Sequence, residues 1–247
     1  MKVTLITVCY NSARSIADTL HSVDAQSWPD IEHLVIDGAS TDDTLAVVSR
    51  YPQPWRRVVS EPDAGIYDAM NKGLALATGT VVGFLNADDV LADSEVIARI
   101  AEAARQGAGV VYGDLCYVSA SRPQQVVRYW TSRPFQAALL RSGWMPPHPT
   151  FYVRRTLLQS TGGFDVRYRI AADYDLMVRV LLAAEVSIVY LPHVLVRMQT
   201  GGASNRSLRN LLQKSCEDAD IAHRHKLGGW WTVLLKNISK IPQFFKK

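Results

Sequence analysis

The sequence has few cysteines and no pattern that would pair them. The three thiols, Cys9, Cys116 and Cys216, are far apart, and the chain has no CxxC pair and no ligand-like spacing beside a histidine. An odd number of separated cysteines gives no support to a disulfide framework or to a cysteine metal site. We therefore expect free thiols in a reducing compartment.

Long apolar runs are also missing. No stretch approaches the roughly 18 to 20 apolar residues that a bilayer-spanning helix needs. The apolar opening segment, residues 1–10, is interrupted by Asn11 and Arg14 and is followed by no small-residue cleavage site, which favours a buried strand over a signal peptide. We expect a soluble or peripheral protein, cytoplasmic or at the inner face of the cytoplasmic membrane.

Acidic residues are absent after Asp220, although the segment that follows holds six cations: Arg224, Lys226, Lys236, Lys240, Lys246 and Lys247. The formal net charge is +4, so the chain without these six charges would stand at −2. The basic character thus belongs to the tail. This distribution argues against a protein whose body binds nucleic acid.

Two phosphate-binding loops are missing as well. No GxGxxG follows the first β-prone segment, and no GxxxxGK[ST] occurs anywhere in the chain. The first absence leaves a dinucleotide-binding Rossmann domain with little support, and the second leaves a P-loop phosphotransferase with none.

What is present is an ordinary globular composition, 48% hydrophobic and 20% charged, with a clear alternation of strand and helix patterns. Strands are predicted at 3–10, 31–36, 57–60 and 81–85, and helices around 16–23, 41–50 and 65–77. A later helix and strand are predicted at 96–105 and 109–112, a helix at 172–184, and strands at 186–191 and 194–198. This alternation predicts an α/β fold with a mostly parallel central sheet flanked by helices.

Polar clusters follow four of the predicted strands: residues 11–12, 37–38, 61–63 and 86–89. The carboxyl ends of parallel strands meet at one edge of an open sheet, where ligands bind. At that edge Gly65 would let a ligand approach the backbone closely, and Asn71, one turn after Asp68, could reach the same cleft. Asp63 has two interpretations, a helix cap or a donor ligand.

The acidic pair Asp88 and Asp89 follows a strand that is apolar throughout. Burial penalises paired negative charge unless a cation compensates it, and Mg²⁺ or Mn²⁺ prefers carboxylate oxygens together with substrate phosphates. The alternative from spacing alone is a turn that starts a helix. Metal binding and helix capping are equally supported at this point.

The ordered set of motifs resembles the family 2 glycosyltransferases of the GT-A fold, most closely bacterial members that build surface polysaccharide. The motifs are Thr-Val-Cys-Tyr-Asn (7–11), Val-Ile-Asp-Gly-Ala-Ser-Thr-Asp (35–42), Glu-Pro-Asp-Ala-Gly-Ile-Tyr-Asp-Ala-Met-Asn-Lys-Gly (61–73), Asn-Ala-Asp-Asp (86–89) and Ala-Ala-Asp-Tyr-Asp (171–175). The resemblance implies one GT-A domain over 1–205, with a nucleotide-sugar half at about 1–110 and an acceptor half at about 111–205. Residues 206–247 would form a basic, aromatic helical extension.

The resemblance also implies roles for individual residues. The donor side would comprise Thr7, Tyr10, Asn11, Asp37, Asp63, Gly65, Asn71 and Asp88; Asp88 and Asp89 would bind Mn²⁺ or Mg²⁺; Asp173 would be the catalytic base; and His148 would line the acceptor side. Many relatives have two adjacent acids where this chain has Asp37-Gly38. The nucleotide therefore stays open.

The predicted reaction is an inverting transfer of a sugar from a nucleotide diphosphate to an acceptor hydroxyl of a saccharide or lipid-linked saccharide. A bound metal would stabilise the leaving diphosphate, and a carboxylate would remove the proton of the acceptor. Asp173 and Asp175 are two apart on a helix, so only one can face the cleft, and we favour Asp173. His148 has a second interpretation as a hydrogen-bonded structural residue.

Two alternative functions stay open. A nucleotidyltransferase that forms nucleotide sugars would be expected to carry a Gly-rich, cationic loop after the first strand, whereas this chain has Tyr-Asn-Ser-Ala-Arg at 10–14. A non-catalytic sugar-nucleotide-binding subunit at the membrane would tolerate loss of the acids, yet Asp88, Asp89 and Asp173 are all present.

The tail and one loop have two interpretations each. Apolar residues at 227, 231, 234, 238, 241 and 245 recur at helical spacing with several lysines off that line. This pattern predicts either peripheral contact with an anionic membrane through residues 226–247 or a helix packed on the core. The loop at 201–205 would close over the diphosphate or would be an ordinary surface loop.

Overall fold

The computed structural model describes residues 1–119, 122, 124–183, 186–200 and 208–238, with side chains from 210 onward in the last range. The predicted loop at 201–205 and the tail segment 239–247 lie outside these described residues.

The first half of the chain is a parallel βα unit, as its alternating pattern predicts. Its elements are β1 (Val3–Cys9), α1 (Ile16–Asp24), β2 (Ile31–Asp37), α2 (Thr44–Val48), β3 (Arg56–Ser60), α3 (Ile66–Leu76) and β4 (Val81–Phe84). The four strands lie in the order β3-β2-β1-β4, and every neighbouring pair is parallel. Strands β1 and β4 are buried along their whole length because helices cover both faces of the sheet.

The second half extends the same sheet with mixed strand directions. Its elements are β5 (Asp89–Leu91), α4 (Val96–Arg105), β6 (Val110–Val118), β7 (Val126–Trp130), α5 (Ala138–Arg141), a 3₁₀ turn (His148–Thr150), β8 (Tyr152–Arg154), α6 (Arg155–Ser160), α7 (Ala172–Leu181) and β9 (Ile188–Gln199). The order continues β4-β8-β6-β9-β5, with β8 antiparallel to both of its neighbours and β6 parallel to β9. The predicted strands at 186–191 and 194–198 are one strand, β9.

Side chains of the central strands alternate between two cores. Ile6 and Val8 of β1 point to the face covered by α3 and α7, whereas Val3 and Leu5 point to the face covered by α4. This alternation is the period of two that a β-strand imposes. Both faces of the sheet are therefore occupied, and the carboxyl ends of the parallel strands stay free for a site.

Two helices follow the sheet, α8 (Leu208–Arg224) and α9 (Trp230–Ile238). The break between them contains Gly228 and Gly229, whose φ angles of 123° and 60° suit glycine. Ile221, Ala222 and Leu227 belong to the same core cluster as Ile6, so this region packs against the sheet domain. None of the described helices is long and apolar enough to cross a bilayer.

Candidate active site

A cavity of about 820 Å³ lies beyond the end of β4 and collects residues from distant parts of the chain. Its lining includes Tyr67, Asn86, His148, Asp173, Lys214 and Lys236. These residues come from α3, the segment after β4, the 3₁₀ turn, α7, α8 and α9. The predicted base and the predicted acceptor-side histidine therefore share one cavity.

Asp173 lies in the first turn of α7 and is partly exposed in this cavity. The Tyr67 hydroxyl is 2.8 Å from the carbonyl oxygen of Ile170 and 3.2 Å from Asp173 Oδ1. Burial, reinforced by the nearby Asp173 carboxylate, raises the pKa of Tyr67 well above its usual value. The phenol therefore keeps its proton and acts as a hydrogen-bond donor beside Asp173.

His148 lines the same cavity. Its ring stacks on Phe84 with centroids 5.6 Å apart and meets Phe164 edge-on at 5.8 Å. Burial lowers the pKa of His148, while Asp173 opposes this shift. A neutral imidazole is therefore expected at neutral pH, with one ring nitrogen able to accept a hydrogen bond.

Asp175 points away from the cavity, as the two-residue offset from Asp173 predicts. Its side chain is buried, receives a hydrogen bond from Arg179 Nε at 2.8 Å and lies 3.0 Å from His225 Nε2. Arg179 also donates to the backbone oxygen of Gly163. Asp175 is thus part of a packing contact between α7 and the segment after α8.

Glu217 of α8 holds the turn that precedes Asp173. Its carboxylate accepts hydrogen bonds from three successive backbone N–H groups, Arg169 at 3.1 Å and Ile170 and Ala171 at 2.9 Å each. These donors lie at the N-terminus of α7, where an anion is favoured by unsatisfied N–H groups and by the helix dipole. A residue of the C-terminal region therefore fixes the position of the candidate base.

Asp88 and Asp89 differ in solvent exposure. Asp89 is fully buried in β5, where its Oδ2 accepts a hydrogen bond from Asn86 Nδ2 at 2.9 Å. Burial, with the neighbouring Asp88 charge, raises the pKa of Asp89 well above its usual value. Asp89 Oδ1 is also buried and has no hydrogen-bond partner among the described residues, so the assignment of Asp89 as a metal ligand stays a prediction.

Asp88 is partly exposed and opens into a second cavity of about 470 Å³. Asp18, His21 and Arg197 also line that cavity. Gln199 lines both cavities, and Asn86, two residues before Asp88, lines the larger one. The acidic turn and the cavity of Asp173 are therefore neighbours rather than one enclosed pocket.

Tyr10, Gly38 and Asp63 lie together at the carboxyl ends of β1 to β3. A Cβ atom added at Gly38 would lie 2.4 Å from Asp63 Oδ2 and 3.5 Å from Tyr10 Cδ2. Tyr10 is 62% exposed, and Asp63 Oδ1 accepts a hydrogen bond from the N–H of Gly65 at 2.9 Å. The Asp63 carboxylate therefore occupies the space beside Gly38, the position at which many relatives carry a second acid.

Two residues predicted on the donor side, Thr7 and Asp37, are buried in this structure. Thr7 is fully buried, and its hydroxyl lies 2.9 Å from His33 Nε2 inside the sheet. Asp37 is also fully buried, and its carboxylate accepts hydrogen bonds from Ser60 Oγ and from the side chain and N–H of Ser40. Neither side chain is open to a nucleobase or ribose, because both are used to join strands and turns.

Two asparagines predicted on the donor side are likewise engaged within the fold. Asn11 is exposed, but its Oδ1 accepts hydrogen bonds from the N–H groups of Thr41 at 2.9 Å and Asp42 at 3.3 Å. Asn71 clamps Phe164, donating to its carbonyl oxygen and accepting from its N–H at 2.8 Å each. Both ends of the Asn71 amide are thus occupied by the backbone, and its role on the donor side stays a prediction.

The space beside the backbone of Gly65 is open. Its φ of 124° suits glycine, and nothing lies within 4 Å of a Cβ placed there. It immediately precedes α3, so the N-terminal N–H groups of that helix face the same open region. A ligand can therefore come close to the main chain at this point.

Sequence reasoning missed Tyr67, Glu217 and Lys236. Tyr67 belongs to the motif at 61–73, so a signal was present, although its contact with Asp173 spans 106 positions of the chain. Glu217 and Lys236 lie in the region treated as an extension, and no local pattern links them to the cavity. Only the packing of α8 and α9 brings Glu217 to the turn before Asp173 and Lys236 to the cavity.

The carboxylates suit a metal site that is completed by the substrate. Among the described residues, no group of three or more His, Cys, Asp or Glu side chains could hold a metal ion. Mg²⁺ and Mn²⁺ commonly bind through one or two carboxylates plus substrate phosphates and water. Asp88, a hard oxygen ligand at the rim of an open cavity, fits that donor set, and the adjacent Asp89 has one buried carboxylate oxygen without a hydrogen-bond partner in the described residues.

Comparison of the sequence with known proteins identifies a family and several relatives. The profile of "Glycosyl transferase family 2" matches residues 4–166. An uncharacterised glycosyltransferase of Mycobacterium tuberculosis H37Rv is 33% identical over 230 residues, covering 92% of this chain and 86% of that protein. A "PGL/p-HBAD biosynthesis glycosyltransferase" of Mycobacterium bovis BCG is 32% identical over 202 residues, covering 79% and 76%.

Solved structures share the fold at lower identity. Residues 1–349 of S. aureus TarS in complex with UDP-GlcNAc superpose with a TM-score of 0.75 at 21% identity, covering 97% of this chain and 73% of that one. The mannosyltransferase PcManGT from Pyrobaculum calidifontis, in complex with GDP-Man and Mn²⁺, gives a TM-score of 0.68 at 20% identity, covering 97% and 74%. At this identity the likeness concerns the fold alone.

Proposed function

The chain belongs to glycosyl transferase family 2, and we propose that it is a metal-assisted, inverting enzyme that transfers a sugar from a nucleoside diphosphate to an acceptor hydroxyl. The acceptor we propose is a saccharide or lipid-linked saccharide, in keeping with the PGL/p-HBAD biosynthesis in which the Mycobacterium bovis relative is named. The observation that carries the proposal is the 820 Å³ cavity that Asp173, His148 and Asn86 of the acidic turn all line.

We assign the donor to about residues 1–110 and the acceptor to about residues 111–205, with residues 206–247 as an extension. Tyr10, Asp63 and Gly65 are open at the carboxyl edge and would hold the nucleoside. Fold neighbours bind UDP-GlcNAc in one case and GDP-Man in another, which supports a nucleotide-sugar donor without choosing the base.

We place the divalent cation at Asp88. When bound, Mn²⁺ or Mg²⁺ would neutralise the negative charge that develops on the departing diphosphate. Support comes from the partial exposure of Asp88, from the burial of Asp89 and from the Mn²⁺ in the structure of PcManGT. Asp89 would instead orient Asn86, which donates to it.

Asp173 would act as the general base. Its carboxylate takes the proton of the acceptor hydroxyl as that oxygen forms a bond to the anomeric carbon and the bond from this carbon to the diphosphate oxygen breaks. Attack opposite the leaving group inverts the configuration at the anomeric carbon. Neutral His148 and the Tyr67 hydroxyl would position the acceptor and the carboxylate.

A donor screen tests the proposal. The chain is incubated with Mn²⁺ and uridine, guanosine or thymidine diphosphate sugars, and release of nucleoside diphosphate is measured. We expect one donor class to raise the melting temperature and to be slowly hydrolysed without acceptor. A nucleotidyltransferase would instead release pyrophosphate from a nucleoside triphosphate and a sugar phosphate, and a binding subunit would release no nucleoside diphosphate; either result would overturn the proposal.

A further inference from the structure

Helix α9 has a polar side turned inward. Thr232 and Lys236 are buried, together with Val233, at 5% exposure or less. Thr232 Oγ1 donates to the carbonyl oxygen of Leu227 at 2.7 Å. A Cβ atom at Gly143 would lie 2.6 Å from the Thr232 carbonyl oxygen, so the helix packs closely against the segment after α5.

A buried ion pair fixes the rotation of α9 about its axis. Lys236 Nζ donates to Asp218 Oδ1 of α8 at 2.8 Å and lies 3.6 Å from the centre of the Tyr174 ring. Both partners of the ion pair are nearly inaccessible, at 4% and 5% side-chain exposure. A buried charge that loses its partner is costly, so the helix cannot roll without breaking this contact. The outward face of α9 is therefore set.

That outward face is apolar. Trp230, Trp231, Leu234 and Ile238 are 63%, 65%, 48% and 50% exposed. An ordinary surface helix buries its apolar stripe and exposes its polar side, which is the reverse of what α9 does. Single exposed apolar residues are common, but adjacent large ones on one helix indicate an interaction surface.

The charges that flank α9 in the sequence indicate which kind of partner its outward face would bind. No Asp or Glu follows Asp220, and Arg224, Lys226, Lys240, Lys246 and Lys247 flank α9 in the sequence. A second copy of the chain would carry the same excess of positive charge in this segment, which disfavours it as the partner of α9. A surface with anionic lipid headgroups would attract them, at up to about 1 kcal/mol per cation near the membrane.

We propose that α9 docks the protein on an anionic lipid bilayer, with Trp230, Trp231, Leu234 and Ile238 inserted at the boundary between headgroups and acyl chains. Tryptophan is favoured at that depth because its ring is apolar and its N–H is polar. The nine residues of α9 are too few to cross the bilayer, so the helix lies along the interface.

Docking through α9 would place the Asp173 cavity beside the bilayer. Lys236 and Asn237 of α9 and Lys214 of α8 line that cavity, while the opposite face of α9 carries the tryptophans. An acceptor held by a lipid anchor would reach the cavity without leaving the membrane. This consequence rests on the proposed function, whereas the docking itself does not.

The test is co-sedimentation of the full chain with phosphatidylcholine vesicles that contain phosphatidylglycerol, against pure phosphatidylcholine vesicles. We expect binding to the anionic vesicles only, weakened by salt and accompanied by a blue shift of tryptophan emission. A Trp230→Ser/Trp231→Ser double variant should bind at least about ten-fold more weakly. The matched control is Val166→Ser/Leu182→Ser, which removes two exposed apolar side chains elsewhere and should bind as the native chain does.

Three results would overturn the docking proposal, each obtained with chains shown to be folded by circular dichroism. The first is no binding of the native chain to anionic vesicles, and the second is equal binding by the double variant. The third is a concentration-dependent dimer, lost in the double variant, without vesicle binding, which would identify a second copy as the occupant. Donor hydrolysis measured without lipid reports on the proposed function separately, so the two failures are distinguishable.

Discussion

Asp173 and Asp175 lie two positions apart in α7, and their side chains differ in burial. Asp173 is partly exposed in the cavity, whereas Asp175 is 1% exposed and contacts Arg179 and His225. Residues two apart on a helix project in different directions, so these two side chains lie in different environments. The partly exposed carboxylate of Asp173 is accessible to a ligand, whereas the buried carboxylate of Asp175 is used in packing.

Replacing Asp173 with Asn should remove transfer while preserving donor binding. The amide keeps the size and the hydrogen bond from Tyr67 but cannot take a proton, so we expect the transfer rate to fall by roughly 10² to 10⁴. Steady-state rates and thermal shift with the donor and Mn²⁺ check both parts. Asp43→Asn, at an exposed acid outside the cavity, is the control, and near-native transfer by Asp173→Asn would refute the assignment.

Asp88→Asn and Asp89→Asn should separate the metal ligand from its buried neighbour. We expect the first variant to lose at least roughly ten-fold in Mn²⁺ affinity in the presence of a nucleoside diphosphate, because it loses a charged oxygen ligand. The second should bind Mn²⁺ nearly as the native chain does, since an amide oxygen can still accept from Asn86. Isothermal titration measures both affinities, and the reverse order would place the metal at Asp89.

At the scale of elements, α8 both supports the turn before Asp173 and lines the candidate site. Glu217 satisfies three N–H groups at the start of α7, and Tyr168 donates to Asp220 at 2.6 Å. The turn that carries Asp173 is therefore held from a helix more than forty positions further along the chain. A local pattern around Asp173 indicates a helix start, but it does not identify this support.

Glu217→Ala should lower both stability and transfer. A fully buried N–H group without a partner costs about 1 to 3 kcal/mol, and the cost is smaller here because these contacts are exposed or only partly buried, so water can replace part of them. We expect a lower urea midpoint and a reduced kcat with little change in KM for the donor, because the donor binds elsewhere. Cys216→Ser, at an exposed neighbour, is the control, and an unchanged kcat would show that Glu217 only stabilises the fold.

At the scale of the whole molecule, a buried histidine joins the three strands β1, β2 and β3. Arg56 Nε donates to His33 Nδ1 at 3.0 Å, so Nε2 must carry the ring proton and donate to Thr7 Oγ1 at 2.9 Å. Burial, with the nearby Arg56 charge, lowers the pKa of His33 well below its usual value. His33 therefore stays neutral in the folded chain under mildly acidic conditions.

This histidine should make global stability depend on pH. Below about pH 6.5 the unfolded chain takes up a proton at His33 and the folded chain does not, so its contribution to the free energy of unfolding falls by about 1.4 kcal/mol per pH unit. Urea unfolding of the native chain and of His33→Gln, between about pH 5 and 7.5, isolates this group. The variant should show a flatter pH dependence, and parallel curves would contradict the prediction.

The sequence by itself determined the elements and the chemistry class of this protein. Strand and helix periodicity predicted the parallel sheet, and the ordered motifs indicated the family, because both signals are local and survive without knowledge of contacts. The same motifs indicate Asp173 and His148, which line one cavity, and their roles stay predictions. A motif does not indicate burial, so the burial of Thr7, Asp37 and Asp89 is not evident from the sequence.

Only the tertiary structure decided which polar side chains stay open to a ligand. Thr7, Asp37 and Asn71 are polar residues in the right motifs, yet strands and turns distant in sequence take up their hydrogen-bonding groups. The same packing turned Lys236 inward and Trp231 outward on α9, against the usual helical pattern. Such outcomes depend on contacts between residues far apart in the chain, because the free energy of burying a polar group is set by the partner it finds there.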